Sequence, residues 1–178
     1  YYTVNDLQKL NAGGKYTRTF NTAVFGPRLL PEYGLFREGN YLYGLVPLFA
    51  DGAGNPGSSD FTAVTTTLYR NGRKVATTDD PLFAEKPFRV PAGDAAYKLT
   101  TSVKRSVKVA AASTRVDASW TFRSKKADLA KLPASSIRFD AAVGLDSRAP
   151  ANKKISVPVT VQGSAAGSNL KSLSVYVS

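Results

Sequence analysis

Apolar and polar residues alternate with a period of two along two stretches in the middle of the chain. Between Ala96 and Lys104, Tyr97, Leu99, Thr101 and Val103 alternate with Lys98, Thr100, Ser102 and Lys104. Between Arg115 and Ser124, Val116, Ala118, Trp120 and Phe122 alternate with Asp117, Ser119, Thr121 and Arg123. Side chains on a strand point alternately to opposite faces, so each stretch predicts a strand with one buried and one wet face. Trp120 is the only tryptophan. A buried tryptophan removes about 150–250 Å² from water, which predicts Trp120 at the centre of a core.

The same reading extends to the rest of the chain. Val4 to Leu10 reads as a short helical turn or a strand, and Ala12-Gly13-Gly14-Lys15 as a turn. Tyr16, Arg18, Phe20, Thr22 and Val24 predict a strand over Tyr16–Phe25 that Gly26-Pro27 stops, with Pro31 and Gly34 bracketing an irregular connection. The crowded apolar run Gly39–Phe49 predicts one strand buried on both faces, Pro47 lying near its end. Thr65 to Tyr69, then Asn71-Gly72, then Lys74 to Thr77 predict a hairpin, because Asn-Gly accepts the positive φ angles of a type I′ turn. Phe88 to Pro91 reads as a short edge strand, and Leu132-Pro133 as a boundary. Beyond it Ile137–Asp140, Ile155–Val161 and Leu173–Val177 alternate again.

The predicted fold is therefore all-β: an antiparallel β-sandwich, Ig-like or jelly-roll-like, over residues 1–132, with additional strands of a second, incomplete sandwich unit over 133–178. Three strands over so short a tail bury little surface alone. They must dock on the first unit, pair with further sequence, or pair with another chain, for which Leu173–Ser178 offers an edge strand for β-augmentation. The opening Tyr1-Tyr2-Thr3 carries neither an initiator Met nor a basic-then-apolar leader, so the expectation is either a leader already removed or, the reading preferred, a piece of a longer chain.

Composition narrows the chemistry. With 43% hydrophobic and 21% charged residues, the chain has the balance of a soluble globular protein, and no apolar run reaches bilayer length. It has no Cys and no His, so disulfides, thiolate or imidazole zinc sites and a Ser-His-Asp triad cannot be assembled from it. Asp79, Asp80 and Glu85 are clustered acids, but adjacent strand residues point apart and make a poor glycosidase pair. No catalytic residue is expected. Asp51, Asn55 and Asp60 stand in a Gly-rich loop as candidate calcium ligands, although their spacing is not that of an EF-hand. Calcium is the one cofactor considered.

The net charge is +11, and between Lys98 and Lys131 nine Lys and Arg face only Asp117 and Asp128. Lys104, Arg105, Lys108, Lys125 and Lys126 are the candidate surface for an anionic polymer or polysaccharide. Outward lysines also keep a sheet soluble and blunt its edges. No RNP-like or helix-turn-helix pattern accompanies the charge, which argues against nucleic acid. Tyr33, Phe36, Tyr41 and Tyr43 are candidates for an aromatic platform for sugars or a peptide, core filling being the alternative.

Several segments carry a resemblance. They are Pro47-Leu48-Phe49-Ala50-Asp51-Gly52, Leu68-Tyr69-Arg70-Asn71-Gly72, Val90-Pro91-Ala92-Gly93-Asp94 with Tyr97-Lys98-Leu99, and Asp117-Ala118-Ser119-Trp120-Thr121-Phe122-Arg123-Ser124. Val157-Pro158-Val159-Thr160-Val161 and Leu170-Lys171-Ser172-Leu173-Ser174-Val175-Tyr176-Val177-Ser178 complete the set. Together they resemble the region downstream of the catalytic domain in large secreted subtilisin-like serine peptidases of actinobacteria. The resemblance implies secretion, all-β accessory domains and a catalytic peptidase domain on the same parent chain. It brings no catalytic residue here: the Gly-Thr-Ser-Met nucleophile motif is absent, as are the family's Asp and His motifs. The function expected is a non-catalytic accessory module acting in stability, substrate positioning or surface attachment. The alternatives are a carbohydrate- or wall-binding module and a protein-interaction module using an edge strand.

Overall fold

A computed structural model describes residues 9–176. Ten strands follow in chain order: β1 Gly34–Gly39, β2 Tyr41–Leu45, β3 Ala63–Arg70, β4 Arg73–Thr78, β5 Phe88–Arg89, β6 Ala95–Lys104, β7 Arg115–Ser124, β8 Ala127–Leu132, β9 Ser135–Phe139 and β10 Val159–Gly163. All pairings are antiparallel, in sheets of order β5-β2-β1-β8, β4-β3-β6-β7 and β10-β9. The predicted all-β class holds. The two four-stranded sheets bury their inner faces in one contiguous core, Leu35 and Leu42 from the first meeting Leu68, Leu99, Val103 and Trp120 from the second. That shared core makes the pair a sandwich.

The central alternation sets the sandwich's main axis. β6 and β7 pair without a break from Ala95↔Ser124 to Lys104↔Arg115. Their apolar positions are buried and most of their polar positions are open to water. Tyr97 and Phe122, opposite one another, stack at 6.0 Å between ring centroids. The β3–β4 hairpin turns at Asn71 and Gly72, with φ of 48° and 77°, as an Asn-Gly type I′ turn requires. β5 is a two-residue strand at the edge of its sheet, where the sequence placed it.

Four expectations are corrected. Tyr16–Phe25 is not a strand. Its backbone is held by side chains and a loop instead of a neighbouring ladder: Asn21 N donates to Asp51 Oδ2 (2.9 Å), Ala23 N to Ser147 Oγ (3.0 Å), and Gly52 N to Thr22 O (2.7 Å). Gly39–Phe49 is not one strand buried on both faces: the chain reverses at Gly39-Asn40, and only Tyr41–Leu45 is a strand, its positions alternating between buried and more open, paired with β1, which had not been anticipated. Gly39 takes φ 54°, the conformation the first position of a type II′ turn favours. β8 was not anticipated. Its alternation is disguised by Leu129, which is exposed, and by a register shift against β1. At the tail, Ile155–Val161 becomes a strand only from Val159, and residues 173–176 form none. The edge strand read over Leu173–Ser178 is therefore not seen in its described part, and Val4–Leu10 lies almost wholly outside the described residues.

The hairpin of β9 and β10 docks on the sandwich. Trp120 Nε1 donates to Ser135 O (2.8 Å), Leu29 N donates to Gln162 Oε1 (3.1 Å), and Ala134 belongs to the common core. Arg138 reaches from β9 to the carbonyls of Gly26 (2.8 Å), Ala50 (3.3 Å) and Asp51.

Candidate functional site

The Gly-rich loop after β2 is closed by its own acid. Asp51 is fully buried. Its Oδ1 accepts from Asn55 N (2.8 Å), its Oδ2 from Asn21 N (2.9 Å), and both oxygens accept from Asn55 Nδ2. Asp51 and Asn55 are thus brought together, while Asp60 is exposed at the loop's far end. An Asx side chain that ties down backbone N–H groups is doing the work of a turn. Asp80 acts the same way after β4, accepting from the N–H groups of Phe83 (2.6 Å), Glu85 (2.9 Å) and Lys86 (3.0 Å). Among the described residues no three acidic side chains gather where a metal ion would sit.

The basic group predicted from sequence divides. Lys104, Lys108, Lys125 and Lys126 are exposed. Arg105 is corrected: it is 5% exposed, its guanidinium carbon lying 4.4 Å from the Phe25 ring centre and 4.3 Å from that of Phe49. It donates from Nη2 to Ala112 O (2.7 Å) and from Nε to Ser113 O (3.1 Å). A planar cation stacks on aromatic faces while its edge satisfies carbonyls, so Arg105 is a core residue. The four lysines do not form one patch. Lys104 ends β6 opposite the start of β7, whereas Lys125 and Lys126 follow the end of β7, so ten paired residues, about 30 Å, separate them.

Two further buried arginines behave like Arg105, and sequence reasoning missed both. Arg37 is fully buried in β1 and donates to Gly39 O and Pro91 O, both at 2.8 Å. Arg138 is 8% exposed; burial, with Arg28 nearby, pulls its guanidinium below the ordinary value while Asp51 opposes the shift. Their only sequence signal was an arginine at an inward position of an alternating strand.

The outer faces of the two sheets differ in chemistry. On the β4-β3-β6-β7 sheet, one cross-strand row sets the hydroxyls of Thr77, Thr67, Thr100 and Ser119 side by side, and the next sets Lys74, Tyr69, Lys98 and Thr121. Arg115 pairs with Asp117 (2.7 Å) and Arg123 with Asp94. Burial works to raise the Asp117 pKa, but the Ser102 hydroxyl and the Arg115 guanidinium outweigh it and hold the carboxyl below its ordinary value.

On the β5-β2-β1-β8 sheet the outer face is aromatic. Glu38, Tyr41 and Arg89 lie in one cross-strand row, and Lys131, Phe36 and Tyr43 in the next. Tyr41 is 48% exposed. Phe36 and Tyr43 stack at 5.6 Å with 25° between their planes. The Tyr43 hydroxyl donates to Glu38 Oε2 (3.2 Å), and burial, this bond and the Glu38 charge all raise its pKa. Lys131 is turned aside, its Nζ donating to Leu30 O (3.0 Å) and Pro31 O (2.8 Å). Three of the four aromatic residues picked out by sequence are therefore neighbours on one surface. Tyr33 stands apart, lining a cleft of about 340 Å³ with Val46, Pro47, Leu82 and Phe83.

No protein-family model, no curated protein and no solved structure matches this chain.

Proposed function

We propose that this chain is a non-catalytic accessory module of a secreted subtilisin-like serine peptidase, acting by surface contact instead of bond making. One observation carries the reading: each charged side chain buried in the sandwich is engaged with the backbone of a turn or loop. Asp51 and Asp80 tie down backbone N–H groups, and Arg37, Arg105 and Arg138 tie down backbone carbonyls. With no His or Cys anywhere in the sequence, imidazole and thiol chemistry have no carrier. What the molecule offers outward is two broad sheet faces, one hydroxyl-rich and cationic, the other aromatic. The sequence resemblance to the region downstream of the peptidase domain supplies the setting.

The test is on the parent gene and enzyme. The reading expects Asp, His and Gly-Thr-Ser-Met motifs of a subtilisin-like domain on the N-terminal side. It also expects an enzyme deleted for this module to keep turnover of a short peptide while losing thermal stability or retention at a surface. An upstream sequence without those motifs overturns it. So does a deletion that leaves melting temperature, kinetics and localisation all unchanged.

A further inference from the structure

The aromatic outer face has an arrangement that its structural role does not require. Tyr41 lies between an acceptor, Glu38 on β1, and a donor, Arg89 on β5, all three in one row. The stacked pair Phe36 and Tyr43 continues the apolar surface in the next row. Tyr43 is oriented by its bond to Glu38, and Lys131 is occupied by two carbonyls, so its charge is directed away from the rings.

We propose that this face docks the sugar rings of a neutral polysaccharide. A pyranose ring has an apolar C–H face and a rim of hydroxyls that both donate and accept. Tyr41 presents a flat apolar ring to the first, and Glu38 and Arg89 present an acceptor and a donor to the second. The single carboxylate and the single guanidinium beside Tyr41 cancel in charge. A polyanion gains nothing here that Lys98 and Lys104 on the opposite sheet would not give it more strongly. A peptide is the competing occupant, and the experiment separates the two. The inference deepens the surface-attachment reading and rests on it for its purpose; its chemistry rests on the rings and their two flanking charges.

The purified chain is incubated with insoluble cellulose, chitin and xylan at low and high salt, and the retained fraction is measured. At least one neutral polymer should retain it nearly equally at both salt levels, because ring stacking and contact-range hydrogen bonds to an uncharged polymer are screened far less than attraction between net charges. Tyr41→Ala should weaken retention about tenfold or more, Tyr41→Phe should keep most of it, and Arg89→Ala or Glu38→Gln should weaken it in part. Lys98→Gln combined with Lys104→Gln should change nothing. Circular dichroism checks that each variant is folded, and Tyr41→Phe isolates the ring from the hydroxyl. The inference is overturned if no neutral polymer retains the chain, or if retention vanishes with salt and follows Lys98 and Lys104. It is equally overturned if Tyr41→Ala binds as the parent does, or if peptides displace the chain where soluble sugars do not. Such a result leaves the peptidase-module reading to its own test, the upstream motifs.

Discussion

At the scale of single residues, the arginines separate what a sequence shows from what it hides. Trp120 was legible as a core residue from its place in an alternating strand, but the carbonyl that takes its indole N–H, on Ser135, was not. Arg105 beside Lys104 reads as surface charge, since nothing local reveals that Phe25 and Phe49 will close on either side of it. The buried guanidinium of Arg138 satisfies three carbonyls from two other segments. Arg138→Met keeps the apolar stem and leaves Gly26 O without a donor, while Ala50 O keeps the N–H of Gly26 and Asp51 O that of Gly54. A buried carbonyl left unpaired costs about 1–3 kcal/mol, so a loss of about 1–3 kcal/mol is expected in urea unfolding. A loss well under about 1 kcal/mol would show that water reaches the Gly26 carbonyl. Lys108→Gln, on the open loop after β6, should stay within about 0.5 kcal/mol of the parent.

At the scale of elements, legibility followed the strength of the local signal. β6 and β7 were read almost to the residue because their alternation is long and both faces are chemically distinct. The β3–β4 turn was read because Asn-Gly is a chemical statement about φ. Gly39-Asn40 makes a similar statement more quietly, at the head of an apolar run, so Gly39–Phe49 was taken as one strand and the β1–β2 hairpin went unread. The Asn-Gly turn gives a direct test. An added Cβ at Gly72 meets no atom within 4 Å, so a substitution there is penalised by backbone strain alone. Gly72→Ala should cost about 1–2 kcal/mol and Gly72→Asn less, since Asn tolerates this region of φ. Equal losses in denaturant melts would point to something other than φ.

The β6–β7 pair also carries a small pH dependence with a definite sign. The Asp117 pKa is lowered in the fold, so folding favours the ionised carboxylate. Its contribution is present above the ordinary carboxylate range and is lost as pH falls through the lowered folded value. Arg115 and Asp117 are both more than half exposed, so solvent screens the pair and the effect stays below about 0.5 kcal/mol. Asp117→Asn should therefore be slightly less stable than the parent at neutral pH and equal to it once the carboxyl is protonated. A gap that widens in acid would reverse the assignment.

At the scale of the whole molecule, contacts tie the segment after Leu132-Pro133 to the sandwich before it. Pro133 interrupts the alternation, yet Ala134 immediately after it enters the common core and β9 lies within reach of β7. The contacts are long-range and polar, between residues too far apart in sequence for any periodicity to register: Trp120 with Ser135, Leu29 with Gln162, Ala23 with Ser147, Arg138 with the loop around Asp51. A chain ended after Leu132 would lose every one of them. It would open Trp120 on one side and leave its indole N–H to water. The Gly26 carbonyl would also lose its donor, at a cost of about 1–3 kcal/mol if water cannot reach it, and the carbonyls of Ala50 and Asp51 would each lose one of two donors. Added to the lost contacts of Trp120, Leu29 and Ala23 and set against the roughly 5–15 kcal/mol that holds an ordinary domain together, those losses take a large share of the margin. The shortened chain should unfold at a much lower temperature, or without a cooperative transition, and its tryptophan emission should move to the red as water reaches the ring. If it instead melted at the parent's temperature with unshifted emission, the sandwich would be complete without β9 and β10, and the hairpin would be a passenger instead of a wall of the core.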